Sequence, residues 1–271
     1  MTELQKVIKY LAIALAVFLI VSIVGGAVSV VRLVAGLFDR DSATADFISY
    51  SVSGEFHSLD IEIGVADLNI REGEAFSVES NLKHLRVKVE DGVLKIDESE
   101  WKKSFSAYHD PALTVYVPAG TLFREVSMTT GAGRLTAEEL SAEYLDLKLG
   151  AGEVSFGSLK ATASADIEGG AGRVTISDGV LSNLDLDMGA GQLELTSALT
   201  GDCELNLGVG ESRINLIGDR DDYRLMLEKG LGSISVEGDK MPEGGRVGDG
   251  ANRVKVSGGV GAIYVRYEAV P

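Results

Sequence analysis

The sequence predicts an all-β protein, a parallel β-solenoid (β-helix-like) of about 19–20 residues per coil with an N-terminal transmembrane α-helix. Three observations predict this fold. A Gly-x-Gly step recurs at near-constant intervals, apolar and polar residues alternate on both sides of each step, and the segment 10–31 carries no charge. A fixed short period is typical of solenoids, and alternation with period 2 is typical of strands with one buried face.

The uncharged segment 10–31 is long enough to cross a bilayer core of ~30 Å as a helix. The alternative is a cleaved signal peptide, whose apolar core is usually shorter, at ~7–15 residues. Two basic residues precede the segment and two follow it, so the charge bias is weak, and the short N-terminal tail favours a cytoplasmic N-terminus.

This reasoning divides the chain into four parts. We expect a cytoplasmic tail at 1–9, a single-pass anchor at 10–38, a linker at 39–56 and an extracytoplasmic domain at 57–271. The expected location is therefore the cell membrane, with the C-terminal domain outside the cytoplasm.

Charge and composition exclude several classes of function. The formal charge is −16, and since residues 1–40 contribute +2, residues 41–271 carry −18. That balance argues against nucleic-acid binding, which needs a basic surface. The single cysteine, Cys203, rules out an intrachain disulfide, and the three histidines are scattered, so no metal-ligand spacing and no cofactor is expected.

The Gly-x-Gly steps are interpreted as sharp corners, because glycine tolerates positive φ and close backbone approach. Each coil would then be a strand, a corner, a second strand and a looser turn, stacked in parallel on the next coil. Looser copies stand at 230–232 and 259–261. The structural corner glycines are Gly131, Gly133, Gly150, Gly152, Gly170, Gly172, Gly189, Gly191, Gly208 and Gly210.

Alignment on these glycines predicts apolar columns that face a common interior. The third position before each step is one such column, and a second column, at the fifth position before, places Cys203 in the core as a small hydrophobe. Just after the glycines, Arg134, Glu153 and Arg173 alternate in charge and should form a ladder across coils. The first column contains Leu147, Ile167, Leu186 and Leu205.

An acidic column stands at the fourth position before the glycines. A face that binds a divalent cation or a cationic ligand is one interpretation, since hard cations take carboxylate oxygens. The simpler interpretation is a solvated face that keeps the solenoid soluble. The candidate residues are Asp146, Asp166, Asp185 and Glu204.

The flanking segments complete the domain. Residues 59–70 resemble an early coil with Gly64 at its corner, and residues 86–96 predict a β-hairpin around Asp91-Gly92, either a cap or an insertion. Residues 112–118 predict another strand. At the C-terminal end, the aromatic side chains of Tyr264 and Tyr267 are expected to close the core.

The sequence resembles the DUF4097 family of β-strand-repeat, adhesin-like proteins, which is related to the DUF2807 head domains. The resemblance rests on "LTVYVPAG", on "GAGRLTAEELSAEYLDLKLGAGEVSFGSL" and on the later Gly-x-Gly steps, and it covers roughly residues 56–268. It implies a β-solenoid ectodomain behind a membrane anchor, and it carries no catalytic residues over to this chain.

We therefore expect a non-catalytic extracytoplasmic module with an adhesion-like or envelope-scaffolding role and a partner that is an envelope polymer or a membrane protein. Two alternatives stay open. One is a sensor or accessory subunit of an envelope-stress system, which would need a partner helix in the membrane. The other is a polysaccharide-cleaving enzyme, for which the acidic column is the candidate site. The sequence does not indicate an oligomeric state.

Overall fold

The computed structural model describes residues 47–82, 84–98 and 110–269. The predicted tail and anchor lie outside these ranges. None of the helical segments within the described ranges has the length and apolar composition of a membrane span. The described residues belong to the unit 45–271.

One 3-10 turn, Arg220–Asp222, interrupts the strands in this part of the chain. The strands are β1 (Ile48–Ser51), β2 (Ser58–Gly73), β3 (Ser77–Ser80), β4 (Leu85–Glu90), β5 (Val93–Glu98), β6 (Ala112–Pro118), β7 (Phe123–Ile176), β8 (Gly179–Ser182), β9 (Leu184–Thr200), β10 (Asp202–Ile217), β11 (Tyr223–Val236), β12 (Asp239–Lys240), β13 (Gly245–Val247) and β14 (Asn252–Glu268).

The long strands stack in parallel, as the repeat predicts. β7 pairs with β9, and β9 pairs with β10, each at the spacing of the Gly-x-Gly steps, so that Ile167 lies beside Leu186 and Leu186 beside Leu205. β2 pairs in parallel with the start of β7 and aligns Val65 with Ala132, which confirms residues 59–70 as an early coil.

The predicted apolar columns form the core. Leu147, Leu186 and Leu205 are 0% exposed and Ile167 is 1% exposed, while Cys203 lies in the neighbouring buried column at 4%. We call one coil of the stack a rung. Because one rung cannot cover its own apolar face, each rung depends on its neighbours for burial. At ~25 cal/mol per Å² of apolar surface, these stacked aliphatic side chains supply much of the stability of the fold.

Three successive coils have a third short strand where the sequence suggests a looser turn. Residues 159–161 of β7 pair with β8, and β8 pairs with residues 198–200 of β9. Leu159, Leu181 and Leu199 face inward from these strands and are 0% exposed. A run of two or three alternating residues is too short to be told from a turn by periodicity, which explains the difference.

The corners require glycine for two reasons. Gly172 has φ of +144°, a conformation that L-residues rarely adopt, and a Cβ on this residue would overlap the carbonyl oxygen of Gly152. At Gly150, a Cβ would overlap the carbonyl oxygen of Gly131 in the same way. Backbone therefore packs directly on backbone along the corner.

The N-terminal end of the stack is capped by strands that follow β2 in the sequence. β5 and β6 both pair in parallel with β2, and β4 pairs antiparallel with β5, which confirms the predicted hairpin and makes it a cap. Asp91 and Gly92 both have positive φ at its turn. β1 pairs with β3 and lies inside the segment that the sequence predicts to be a linker.

The C-terminal end departs from the predicted order. The last long strand, β14, lies between β10 and β11 instead of following β11. In this position Arg253 forms an ion pair with Asp202 and Lys255 with Glu204 on β10, while Arg253 also lies beside Arg224 of β11. With β11 next to β10 at the repeat register, Asp202 would lie beside Arg224 and Glu204 beside Met226, so only the pair of Lys255 with Glu204 would be lost.

The prediction that Tyr264 and Tyr267 close the end of the core is therefore wrong. β14 is an internal rung, so these residues do not stand at the terminus of the stack. Tyr264 is 40% exposed and lies under the guanidinium of Arg213, while Tyr267 is partly buried and packs near Tyr223. The outer edge of β11 is instead covered in part by β12 and β13.

Candidate functional site

The predicted acidic column is a continuous row on one face of the stack. Asp166 pairs in register with Asp185, and Asp185 with Glu204. Asp166 and Asp185 are exposed, and Asp146 and Glu204 are half-buried. The structure therefore places all four residues on adjoining rungs, spaced by the strand separation of ~4.8 Å.

Lysines neutralise the two ends of this row. The ammonium group of Lys148 lies 3.1 Å from a carboxylate oxygen of Asp146. At the other end, Lys255 Nζ lies 3.0 Å from Glu204 Oε1, and it is there because β14 packs on β10.

The neighbouring face carries the predicted charge ladder, and we call it the ladder face. The guanidinium of Arg134 lies 3.6 Å from Glu153, and that of Arg173 lies 3.7 Å from Glu153 and donates to Gln192 Oε1 at 3.1 Å. Asp67 of β2 extends the ladder at 3.8 Å from Arg134. This alternation is confirmed, and such pairs contribute ~0.2–1 kcal/mol each while they help to set the register.

Four carboxylates on the two middle rungs of the face that carries the acidic row form no ion pair among the described residues. We call them the acidic quartet: Asp166 and Glu168 on one rung, and Asp185 and Asp187 on the next. None of them makes an ion pair or a hydrogen bond through its side chain within the described ranges. Partial desolvation raises the pKa of Asp185, and the like charges of Asp187, Asp166 and Glu204 raise it further.

The quartet does not have the geometry of a metal centre. Among the described residues, no three His, Cys, Asp or Glu side chains are grouped so that they could hold a metal ion. Calcium takes 6–8 oxygen ligands that converge on one point. Here the carboxylates project in parallel from successive strands, an arrangement that suits an elongated ligand better than a single ion.

A shallow groove of about 650 Å³ runs along the stack beside the quartet. We call it the corner groove. It spans six adjoining rungs, with the backbone of Gly150, Gly170, Gly189, Gly208 and Gly259 among its lining. The outward side chains along it are Thr129, Lys148, Glu168, Asp187, Asn206 and Ser257.

The groove exists because the corners carry no side chains. Stacked glycines leave a strip of bare backbone between the outward side chains of the two flanking strands. Sequence reasoning found the corner glycines and the acidic column but not the groove. The sequence did contain this information, because the glycines that begin five successive Gly-x-Gly steps predict a strip without side chains. The depth of the groove, however, depends on how far the flanking strands bend.

Outside the groove, the interior offers little room for a ligand. Two cavities of about 20 Å³ each lie along the corner column; Met188 lines both of them, and Leu193 lines one. A volume of that size holds about one water molecule. Cys203 also lies inside, and burial raises the pKa of its thiol, which disfavours the reactive thiolate.

Comparison with known families identifies one match over most of the chain. The sequence profile of the family described as Toastrack DUF4097 matches residues 56–243. No match was found among curated proteins.

Several solved structures are similar to this chain. A candidate cell adhesion protein from Clostridium sporogenes is 16% identical, with a TM-score of 0.40, over 82% of this chain and 99% of that one. A candidate adhesin from Bacteroides fragilis is 14% identical, with a TM-score of 0.35, over 81% and 96%. A candidate lipid binding protein from Parabacteroides distasonis is 14% identical, with a TM-score of 0.32, over 83% and 97%.

Proposed function

The chain belongs to the Toastrack DUF4097 family, and on that basis we propose that it is a membrane-anchored, extracytoplasmic, non-catalytic binding module with an adhesion-like or envelope-scaffolding role. The observation that carries the proposal is the ordered exterior of the stack. Six adjoining rungs present the same columns of polar side chains beside one continuous groove. Such a surface supports contact with an elongated partner.

A non-catalytic role is supported by the arrangement of the ionisable groups. The carboxylates of the acidic quartet stand in rows, and no described histidine lies among the residues that line the groove. General acid–base catalysis needs a donor and an acceptor that converge on one reacting bond. Rows of equivalent acids on a solvated face do not provide that geometry.

Anchoring is supported by the uncharged segment 10–31 and by the short tail before it. The natural chain suits a labelling experiment, because its single cysteine, Cys203, is 4% exposed. We expect a membrane-impermeant maleimide to label the exposed position in Ser233→Cys on intact cells. The same reagent should label the cysteine of Thr2→Cys only after the cells are permeabilised. Labelling of Thr2→Cys in intact cells, or of neither variant, would contradict the proposed topology.

Binding can be tested by photo-crosslinking in intact envelopes. A photoreactive amino acid replaces Asn206 in the corner groove or Thr175 on the ladder face, and the control places it at Thr2 in the tail. We expect at least one of the two outward positions to give a light-dependent adduct with an envelope polymer or protein. The tail position should give a different set of adducts. If neither outward position gives an adduct, the binding role is wrong.

A further inference from the structure

We propose that the corner groove binds an extended, basic polypeptide segment that lies along the axis of the stack, with central Lys or Arg side chains on Glu168 and Asp187. This inference deepens the proposed binding role and rests on it. It names the chemistry of the partner and the position of the contact.

The length of the groove sets the size of the ligand. Six adjoining rungs line it, and five steps of ~4.8 Å between strands give a length of about 24 Å. An extended polypeptide rises ~3.4 Å per residue, so about seven residues occupy the groove. The groove is open at the surface and shallow, which suits an extended chain and not a compact small molecule.

Charge complementarity determines the composition of that segment. Glu168 and Asp187 of the acidic quartet line the middle of the groove, and neither forms an ion pair within the described residues. On each side of it the charges are already paired, by Lys148 with Asp146 and by Lys255 with Glu204. Positive charge at the centre of a ligand therefore contributes most to its binding. The neutral side chains that line the groove towards its ends can accept or donate ordinary hydrogen bonds.

The floor of the groove explains why side chains carry the recognition. Ladder pairs flank each corner, such as Leu207 with Met188 and Val209 with Ala190, so the backbone on both sides of the corner glycines already pairs between rungs. The bare glycines let a ligand backbone approach closely, and long Lys or Arg stems reach the carboxylates beside it. Arginine can bind a carboxylate through two parallel hydrogen bonds. No aromatic side chain is among the described residues that line the groove, so none is placed to stack on a sugar ring.

The test measures binding of a fluorescent seven-residue peptide, alternating serine and lysine, to the full chain in detergent. We expect the double substitution Glu168→Gln/Asp187→Asn to weaken binding at least tenfold. The matched control, Asp221→Asn/Glu243→Gln, removes two exposed charges outside the groove and should change the affinity less than twofold. Asn206→Trp, which fills the groove without changing charge, should weaken binding at least fivefold, while Thr175→Trp on the ladder face should not.

Each other result overturns the inference. Equal losses in the two charge variants, or no effect of Asn206→Trp, would show attraction to the overall negative charge only. Tighter binding of a glucosamine oligomer than of the peptide would assign the groove to a cationic sugar polymer. No peptide binding, combined with adducts in the crosslinking experiment, would leave the proposed binding role intact and remove this inference alone.

Discussion

Arg253 of β14 forms an ion pair with Asp202 of β10, 51 positions earlier in the chain. This contact lies between two rungs that are not consecutive in the repeat. At the repeat register β11 would offer Arg224 to Asp202 but only Met226 to Glu204, so the ion pair of Lys255 with Glu204 is the contact that β14 alone provides. The hydrogen bond from Arg253 lowers the pKa of Asp202.

The first prediction concerns this pairing. Arg253→Ala should lower the melting temperature, because it removes the ion pair with Asp202, and in a double-mutant cycle with Asp202→Ala the two losses should not be additive. Thermal unfolding followed by circular dichroism measures both. Purely additive effects of the two single substitutions would show that the pair does not contribute to stability.

The second prediction concerns repulsion within the acidic quartet. The raised pKa of Asp185 means that the folded state holds this proton more tightly than the unfolded chain does. Ionised Asp185 therefore destabilises the folded state. This destabilisation is absent below the pKa of the unfolded chain and develops as the pH rises through the pKa of the folded state. Asp185→Asn should stabilise the protein at pH 7 by about 0.3 kcal/mol, a small value because the side chain is exposed.

The comparison variant for that experiment is Asp202→Asn. The pKa of Asp202 is lowered, so its carboxylate stabilises the folded state above the unfolded pKa, and this contribution is lost as the pH falls. The free energy of unfolding is measured in urea at pH 7 and at pH 3. Relative to the natural chain, it should change with opposite signs in the two variants at pH 7, and the two variants should differ less at pH 3. The same sign for both at pH 7 would refute the assignment.

The third prediction concerns the corners. Gly172→Ala forces a Cβ into a backbone oxygen at a residue with positive φ, and we expect it to destabilise the fold by at least about 2 kcal/mol. Gly120 also has positive φ, but nothing lies within 4 Å of the position that an added methyl group would take. Gly120→Ala should therefore cost only about 1 kcal/mol. Equal costs in urea unfolding would mean that φ, and not the stacked backbone, sets the requirement for glycine.

The fourth prediction concerns Cys203. Because the thiol is buried and its pKa is raised, it should react with a thiol reagent only when the domain opens. We expect labelling at least a hundredfold slower in the native protein than in urea, and Ser233→Cys serves as the exposed reference. Fast native labelling of Cys203 would contradict its position in the core column.

The fifth prediction concerns the aliphatic columns. Leu186 lies between Ile167 and Leu205 and is 0% exposed. Leu186→Ala should destabilise the fold by about 2–5 kcal/mol, the usual cost of a cavity in a packed core. Leu231 is 52% exposed, so Leu231→Ala should cost well under 1 kcal/mol by urea unfolding, roughly the range of an ordinary surface substitution. Comparable losses for the two variants would contradict the assigned faces.

Local chemistry was enough to predict much of this protein from its amino-acid sequence. Period-2 alternation identified which residues of each rung face inward, and the Gly-x-Gly steps identified the corners, because both follow from backbone geometry within one coil. The same reasoning found the Asp91-Gly92 hairpin, the buried position of Cys203 and the acidic column.

The order of the rungs, by contrast, follows from the three-dimensional structure alone. The aliphatic columns are nearly interchangeable between rungs, so an alternation pattern cannot distinguish β11 from β14 as the neighbour of β10. That choice involves contacts between distant residues, such as Lys255 with Glu204, and a connection between β11 and β14 that is long enough to carry β14 back. The same limit hid the corner groove, since its depth depends on the bend between strands, which no single coil reveals.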